Sequence, residues 1–354
     1  MSNNYFPSLD SFRAFAILFV IISHMGLDHI IPGGFGVTLF FFISGFLITR
    51  LLIMEFDKKG TIDLKSFYIR RLLRLYPALL LMLLVASGIV MILGCKTEIK
   101  PYLFSGLFYY TNYYLVYFSS LDTGSCGKIY DILWSLSIEE HFYLFFPFLF
   151  FFLYKRSNFL FYTLVALTLA MLCIRLYLVI NTTDYERTKD EIYYSTHTRL
   201  DSITFGCLSA MLIFKFKSKL YLKIVYHRLS IAASLLLIIF TLLFRSPFFR
   251  ETFRYSLQGL ALMIIVPAVI YLPGTSHLKR LFENKVLVFI GQLSYSLYLF
   301  HWVSLNIANS FYTAFTFNWL VTMVLLTIIL SLSSYYFVER PVVSLRRKFG
   351  SNVS

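Results

Sequence analysis

Long apolar stretches separated by short clusters of polar and charged residues run along the whole chain. A membrane-spanning helix needs about 20 mostly apolar residues, and most stretches between the charged clusters approach that length. The pattern therefore predicts an all-α fold with ten spanning helices. The predicted spans cover residues 9–27, 35–54, 75–94, 134–154, 159–180, 199–214, 229–244, 257–272, 286–308 and 317–338.

The first predicted span is unusually polar, because it carries Asp10, Arg13 and His24. Only ten uncharged residues separate Arg13 from His24, which is fewer than a span usually has. We retain it as a span because polar side chains inside membranes usually face other helices instead of lipid.

The stretch 102–118 is apolar enough to be an eleventh span. An additional span here would move every later loop to the opposite side of the membrane. The stretch is rich in Tyr and Phe, which is typical of the membrane–water boundary. We therefore predict a re-entrant or interfacial element on the outer side.

Basic residues are distributed unevenly between the loops. Of the 32 Lys and Arg residues, 20 lie in one alternating set of loops and the C-terminal segment, and eight lie in the other loops. Cytoplasmic loops of membrane proteins carry an excess of Lys and Arg, so we assign the larger set to the cytoplasm. Both termini are then cytoplasmic, as an even number of spans requires.

Composition excludes an ordinary soluble protein. Of the 354 residues, 58% are hydrophobic and 14% are charged, whereas soluble domains average about 45–50% apolar and about 25% charged residues. The net charge of +14 does not indicate nucleic-acid binding, because the basic residues lie in short breaks between apolar runs. We expect a polytopic membrane protein with a single domain over 1–354, without a cleaved signal peptide or an appended soluble domain.

The four cysteines have no CxxC or Cys/His spacing, so the sequence predicts no metal site. Cys95 and Cys126 fall in the same predicted outer loop, where a disulfide can form. The alternative is that they are two small residues that never meet. Cys173 and Cys207 lie within predicted spans.

Arg13 and His24 are the most informative ionisable residues inside a predicted span. They are 11 residues apart, which on an α-helix means the same face and a separation of about 16.5 Å along the axis. A guanidinium at the cytoplasmic end suits a phosphate group, and a neutral imidazole at the other end can act as a general base. The alternative is a core histidine with an arginine that extends to the membrane surface.

A second basic cluster precedes the third predicted span. Arg70, Arg71 and Arg74 lie where a cytoplasmic loop enters that span. Arg70 and Arg74 would share one helix face, from which they could bind phosphate groups bidentately. The competing interpretation is a positive anchor that only orients the protein in the membrane.

Two groups of polar residues lie at the outer ends of later spans. Glu139, Glu140 and His141 enter the fourth span, and packing alone does not explain them. Arg199 and Asp201 are two residues apart at the start of the sixth span. We expect them to point to different sides of the helix and to pair with different spans.

Small residues and the end of the last span have a structural interpretation. The segments 33–37 and 39–48 contain glycines that let helices approach closely. Pro341 follows Glu339 and Arg340 and is expected to stop the last span. In the ninth span, His301 would lie about 15 Å deep, counted from the cytoplasmic end.

Taken in order, these motifs resemble the acyltransferase-3 family of integral membrane acyltransferases, over about residues 5–345. His141 departs from the family pattern, which usually has glutamine at that position. The motifs that carry the resemblance are Arg13 with His24, the FFFISGFLI run, Arg70-Arg71-x-x-Arg74-x-x-Pro77, WSLSIEEHFY, Thr198-Arg199-Leu200-Asp201 with Gly206, SYSLYLFHW and Glu339-Arg340-Pro341.

The resemblance implies transfer of an acyl group, usually acetyl, from cytoplasmic acyl-CoA to a hydroxyl of an extracytoplasmic glycan or glycolipid. The family's acceptors are typically sugars of lipopolysaccharide, capsule, peptidoglycan or other exported glycans. The location would be a bacterial cytoplasmic (inner) membrane. Acyl-CoA would be a co-substrate and not a permanently bound cofactor, and the partners would include membrane lipid but no nucleic acid.

Residue roles follow from the same resemblance. His24 would take the proton of the acceptor hydroxyl, with a transient acyl-His24 as an alternative, while Glu139 and Glu140 would orient His24 or hold the acceptor. Residues that choose the acceptor are expected within 95–133 and 181–198. The CoA phosphates would contact Arg13, Arg70, Arg71 and Arg74. Substrates would be bound or oriented by Trp134, Ser135, Tyr143, Arg199, Asp201, Tyr295, Tyr298 and His301.

Other functions remain open from the sequence. A transporter or flippase also has polar residues in its spans, but the sequence shows no repeated halves. An inactive scaffold is disfavoured because Arg13, His24 and the arginine cluster are all present. Among enzymes, N-acylation of an amino sugar and acylation of a secreted small molecule stay as alternatives.

Overall fold

The structure, a computed structural model, describes residues 5–94, 99–118, 125–272 and 276–349. These residues form seventeen α-helices and no β-strand. The helices are α1 (Pro7–Ile22), α2 (Gly33–Lys59), α3 (Leu64–Ile92), α4 (Ile99–Leu107), α5 (Thr111–Tyr117), α6 (Trp134–Leu153), α7 (Ser157–Ile180), α8 (Tyr185–Tyr194), α9 (Thr196–Ala210), α10 (Lys219–Tyr226), α11 (Arg228–Leu243), α12 (Pro247–Glu251), α13 (Phe253–Ile270), α14 (His277–Phe282), α15 (Lys285–Phe311), α16 (Phe317–Ser334) and α17 (Arg340–Arg347).

Each of the ten predicted spans coincides with a helix, namely α1, α2, α3, α6, α7, α9, α11, α13, α15 or α16. Within the described ranges, seven helical segments are long and apolar enough to cross a membrane, or eight if α10 and α11, bent by 70°, count as one span. One of the seven, Gly127–Ile180, contains both α6 and α7. The chain is a polytopic membrane protein, and the count of ten spans is not confirmed.

The stretch 102–118 does not form a spanning helix. It falls in α4 and α5, which have nine and seven residues and are therefore about 14 Å and 10 Å long. The hydrocarbon core of a bilayer is about 30 Å thick. The stretch is therefore not an eleventh spanning helix, and its re-entrant or interfacial placement on the outer side stays a prediction.

Helices α1, α2, α9 and α15 form the centre of the bundle, where α1 packs on α2 and α15, and α2 packs on α9. The contact between α2 and α9 depends on two glycines. A Cβ atom at Gly45 would overlap the carbonyl oxygen of Ile203, and one at Gly206 would overlap that of Phe42. Small residues allow such backbone contacts in membranes, so the packing interpretation of the segment 39–48 is confirmed at Gly45.

The outward faces of the long helices carry large apolar side chains. Leu84 of α3 and Phe152 of α6 are each 71% exposed, and Leu236 of α11 is 66% exposed. Such surfaces are unfavourable in water but match the hydrocarbon of a lipid bilayer. The polar residues of α1 and α9, in contrast, are turned into the bundle, where Asp10, Arg199 and Asp201 are buried.

Two predicted boundaries were wrong. Helix α3 begins at Leu64 instead of residue 75, with Asp63 as the N-cap that accepts a hydrogen bond from the Ser66 backbone N–H at 2.9 Å. Its arginines therefore lie on a helix and not in a loop. Pro341 does not stop the chain's last helix but is the second residue of α17, a position where the missing proline N–H costs nothing.

The hypothesis of a Cys95–Cys126 disulfide falls partly outside the described residues, because Cys95 lies in the gap 95–98. Cys173 and Cys207 are both free thiols. The hypothesis therefore stays a prediction.

Candidate active site

One cavity, which we call the basic cavity, lies between α1, α2, α3, α6 and α15 and has a volume of about 70 Å³. Its charged lining consists of three arginines and one carboxylate, so its formal charge is positive. The residues that line it are Arg13, Val37, Phe40, Phe41, Ser44, Arg71, Arg74, Leu75, Ser135, Leu136, Glu139, Tyr143, Ser294, Tyr295 and Tyr298.

The arginines of the basic cavity are held by neighbouring side chains. Arg13 is 3.2 Å from the Asp10 carboxylate one turn earlier. The guanidinium of Arg71 lies over the ring of Tyr143, 4.3 Å from its centroid, a cation–π contact that fixes its direction. Because these contacts orient the guanidinium groups before any ligand arrives, less side-chain entropy is lost on binding an anion.

Arg70 is not part of the basic cavity. Its guanidinium contacts the Glu55 carboxylate at 3.3 Å and the Phe349 carbonyl oxygen at 2.7 Å. It thus joins α2, α3 and the C-terminal segment. The predicted pairing of Arg70 with Arg74 on one phosphate-binding face is replaced by Arg71 with Arg74, which are three residues apart and also share a helix face.

The two adjacent glutamates of α6 have different surroundings. Glu139 lines the basic cavity and accepts a hydrogen bond from the Ser44 hydroxyl at 2.7 Å. Glu140 lines neither this cavity nor the one described next, and its Oε1 atom is buried without a hydrogen-bond partner among the described residues. Neither glutamate contacts His24 in the described structure, so their predicted role in orienting it has no geometric support.

A second cavity, which we call the histidine cavity, has a volume of about 200 Å³. It contains His24 near the end of the first span and Asp131 from the 3₁₀ turn Ser125–Leu133. Gly33 and Gly34, the first two residues of α2, also line it, so the positive end of this helix dipole lies at the cavity. The other lining residues are Val20, Ser23, Val37, Ile132, Trp134, Tyr193, Tyr194, Tyr298 and Trp302.

His24 is hydrogen-bonded to His301 of α15. Nδ1 of His24 is 3.1 Å from Nε2 of His301, and Nδ1 of His301 is 2.9 Å from the Leu297 carbonyl oxygen. A carbonyl oxygen only accepts, so His301 carries its proton on Nδ1 and its Nε2 accepts from His24. His24 then carries its proton on Nδ1, and its Nε2 lone pair is free to take a proton.

Aromatic residues surround this histidine pair. Trp302 meets the His24 ring edge to face at 4.8 Å, and its indole N–H donates to the Lys128 carbonyl oxygen at 2.6 Å. Trp134 contacts the rings of Tyr193 and Tyr194 at 4.8 and 5.3 Å. The segments 95–133 and 181–198, predicted to choose the acceptor, therefore meet at the histidine cavity.

The two cavities share Val37 and Tyr298. The Tyr298 hydroxyl is 2.5 Å from the Ser135 hydroxyl and donates to the Ile132 carbonyl oxygen at 3.2 Å. The two cavities therefore adjoin at these residues, with Arg13 in the lining of one and His24 in the lining of the other.

Arg199 and Asp201 lie outside both cavities. Asp201 pairs with Arg175 of α7 at 2.7 Å and accepts from Ser256 of α13 at 2.8 Å. Arg199 lies 3.9 Å from the ring centroid of Tyr255 and donates to Thr38 of α2 at 3.3 Å. Their hydrogen bonds go to different helices, as predicted, and together with the Tyr255 contact they join α9 to α2, α7 and α13.

His141 also faces away from the cavities. Its Nδ1 is 2.7 Å from the Thr196 hydroxyl. Tyr295 lines the basic cavity, and its hydroxyl donates to the Leu75 carbonyl oxygen at 2.9 Å. Sequence reasoning did not single out Asp131, Tyr193 or Tyr194, because they lie in a 3₁₀ turn and at the end of the short helix α8, in segments that the span pattern treats as connections. Trp302 was part of a quoted motif but was given no role.

Comparison with known proteins places this arrangement in context. One family model, described as an acyltransferase domain, matches residues 6–337. SACOL0978 of Staphylococcus aureus (strain COL) is 34% identical over 358 aligned positions, which cover 95% of this chain and 57% of that protein. O-acetyltransferase OatA of Staphylococcus aureus (strain NCTC 8325 / PS 47) is 33% identical over 356 positions, which cover 96% and 58%. The chain thus spans little more than half the length of these relatives. No solved structure matches it.

Proposed function

Because the chain belongs to the acyltransferase-3 family of acyltransferase domains, we propose that it is an O-acyltransferase of a bacterial cytoplasmic membrane. It moves an acyl group, acetyl in the first instance, from cytoplasmic acyl-CoA to a hydroxyl of an extracytoplasmic glycan or glycolipid. The observation that carries the proposal is that a cavity lined by three arginines adjoins a cavity lined by His24, which is hydrogen-bonded to His301 through Nδ1.

The donor enters by the basic cavity. Phosphate groups of CoA contact Arg13, Arg71 and Arg74, whose guanidinium groups suit bidentate binding of phosphate oxygens. The thin pantetheine arm then passes Tyr298 and carries the thioester toward His24. The basic cavity is lined by three arginines, whereas the described lining of the histidine cavity contains no lysine or arginine. This distribution of positive charge supports the proposed direction of donor entry.

The acceptor hydroxyl reacts in the histidine cavity. Its oxygen attacks the carbonyl carbon of the thioester while Nε2 of His24 takes the hydroxyl proton, so that a C–O bond forms. The C–S bond then breaks, its electron pair leaves with sulfur, and His24 returns the proton to the thiolate to give free CoA thiol. The positive end of α2 at Gly33 and Gly34 favours the negative charge that develops on the carbonyl oxygen.

His301 is a positioning residue in this mechanism. By accepting from Nδ1–H of His24, it fixes the tautomer in which Nε2 is the basic nitrogen. Its own proton is committed to the Leu297 carbonyl oxygen. The pair therefore works with two neutral imidazoles until His24 takes the acceptor proton.

The test uses the purified full chain in proteoliposomes with acetyl-CoA labelled in the acetyl group. The acceptor is a cell-envelope glycan extract from a strain that lacks this protein. We expect labelled, alkali-labile ester on the glycan and one CoA thiol released per ester. Transport of label without ester formation would support a transporter instead, and an alkali-stable amide would show N-acylation. Either result would overturn the proposal.

A further inference from the structure

Asp131 is the one carboxylate in the lining of the histidine cavity. Its side chain is half-buried, and it makes no hydrogen bond or ion pair within the part of the chain that the structure describes. Lys128, one turn earlier, acts on it only electrostatically. A carboxylate is an acceptor of hydrogen bonds only, so this group is poised for a ligand that donates.

The surroundings of Asp131 restrict that ligand further. The cavity walls beside it are the rings of Trp134, Tyr193 and Tyr194, which contact one another at 4.8 to 5.3 Å. Binding sites for small polar molecules commonly combine such aromatic walls with a few placed polar groups. The described lining of the cavity contains no lysine or arginine, and its one histidine is the proposed base, so an anionic group next to Asp131 would be repelled and left unpaired.

We propose that Asp131 selects the acceptor by accepting a hydrogen bond from a second hydroxyl, one that neighbours the hydroxyl activated by His24. The acceptor is therefore an uncharged polyol, such as a neutral sugar ring, at the position of reaction. This inference rests on the proposed function. It adds a specificity-determining residue and a chemical class, since monohydroxyl and anionic groups do not satisfy the site.

A kinetic comparison of three proteins tests the inference. The wild type, Asp131→Ala and Asp131→Asn are assayed with labelled acetyl-CoA and the same envelope glycan extract. Losing a hydrogen bond to a charged group costs about 10–150-fold, so Asp131→Ala should lower kcat/KM for the glycan by at least about tenfold. The KM for acetyl-CoA should stay within about twofold, because the basic cavity is unchanged. Asp131→Asn keeps an accepting oxygen and should lose less.

The matched control is Glu283→Ala, which removes an exposed carboxylate that lies outside the lining of both cavities and outside the segments 95–133 and 181–198. It should leave both kinetic constants within about twofold. An unchanged acetyl-CoA KM in Asp131→Ala also shows that the variant is folded.

The other possible results of this experiment each contradict a specific part of the inference or of the proposed function. If Asp131→Ala acylates the glycan with wild-type kcat/KM, the inference is overturned while the proposed function stands. If Asp131→Asn is as weak as Asp131→Ala and the product is an amide, the acceptor is an amine and the hydroxyl assignment is wrong. If the wild type forms no glycan ester at all, the proposed function fails and this inference fails with it.

Discussion

The basic cavity and the histidine cavity share a wall at Val37 and Tyr298 but differ in nearly every chemical property. The first presents three guanidinium groups, of which that of Arg13 contacts Asp10 and that of Arg71 contacts Tyr143. The second contains the His24 imidazole, aromatic rings and a carboxylate without a partner among the described residues. In the proposed function, the first cavity binds the strongly anionic donor, and the second transfers a proton to and from an uncharged acceptor.

This difference follows from where the bundle can tolerate charge. Guanidinium groups stay ionised, so their cost in a membrane falls when they are near its surface and line a wet cavity. An imidazole can stay neutral deep in the bundle and still bind a proton when a substrate requires it. The spacing of Arg13 and His24 predicts one common helix face. In the proposed function, the first span therefore binds the CoA phosphates at one end and transfers the acceptor proton at the other.

The largest effect is expected when the proposed base, His24, is removed. His24→Ala should lower the rate of acyl transfer by about 10²–10⁴-fold, the usual contribution of positioned general-base catalysis, while the KM for acetyl-CoA changes little. The measurement is steady-state transfer of labelled acetyl to the glycan extract.

His29→Ala is the matched control, because His29 is exposed and lies five residues further along the chain. It should be fully active. A His24→Ala protein that keeps more than about a tenth of the wild-type rate would refute the central role of His24.

The next largest effect should come from the basic cavity. Arg71→Gln removes a guanidinium from the cavity lining, and loss of a charge-assisted hydrogen bond of about 1.5–3 kcal/mol should raise the KM for acetyl-CoA by about 10–150-fold. The kcat should change much less than in His24→Ala. The dissociation constant of CoA, measured by titration calorimetry, should rise by a similar factor and does not depend on turnover.

Arg70→Gln is the control for Arg71→Gln, since the two arginines are adjacent and only one lines the cavity. Its effect on CoA affinity should stay within about threefold. If Arg70→Gln weakens CoA binding as strongly as Arg71→Gln, the division between the two arginines is wrong.

The contrast between these two arginines also marks the limit of sequence reasoning. Helical periodicity is local, so the common face of Arg13 and His24 could be predicted from spacing alone. The face that α3 turns to the cavity depends on its packing against Tyr143 and on its start at Leu64, eleven residues before the predicted span. Spacing therefore indicated the basic cluster on α3 but could not show that Arg71, and not Arg70, lines the cavity together with Arg74.

The histidine cavity was harder to predict than the basic one. His24 and His301 are 277 positions apart, and no pattern along the chain states that α1 and α15 pack together. Asp131 and Tyr193 come from connecting segments, whose course is set by tertiary contacts instead of periodicity. The predicted topology puts both segments on the same side of the membrane, which is why 95–133 and 181–198 could be named without their residues.

His301 allows the histidine cavity to be tested without touching the base. His301→Leu removes the acceptor for Nδ1–H of His24 and should lower kcat by about 10-fold, comparable to the lower range for lost partners of catalytic histidines at metal sites. The KM for acetyl-CoA should not change.

His301→Gln supplies a side-chain oxygen that can accept from His24, so it should recover most of the lost rate. If His301 had only a structural role, His301→Gln would not be more active than His301→Leu. If both variants lose the same activity, tautomer control by His301 is wrong.

The smallest expected effect concerns the frame of the basic cavity. Asp63 caps α3, the helix that carries Arg71 and Arg74, and its carboxylate accepts from the Ser66 hydroxyl at 2.6 Å and the Ser66 N–H at 2.9 Å. Asp63→Ala should destabilise the protein by about 1 kcal/mol at neutral pH. The measurement is the Tm in detergent across a pH series, with Asp184→Ala, the cap of α8 beside the histidine cavity, as the matched variant.

The Tm difference between wild type and Asp63→Ala should change with pH in a defined direction. The hydrogen bonds from the Ser66 hydroxyl and then from its N–H lower the pKa of Asp63 below its ordinary value. A lowered pKa in the folded state means that the cap stabilises fully above the unfolded value of about 3.9 and loses that contribution as pH falls through the folded value. The Tm difference between wild type and Asp63→Ala should therefore be constant at neutral pH and shrink below about pH 4. A difference that grows on acidification would show that Asp63 caps α3 in its protonated form, and the support it gives to the arginine-bearing helix would have to be reassigned.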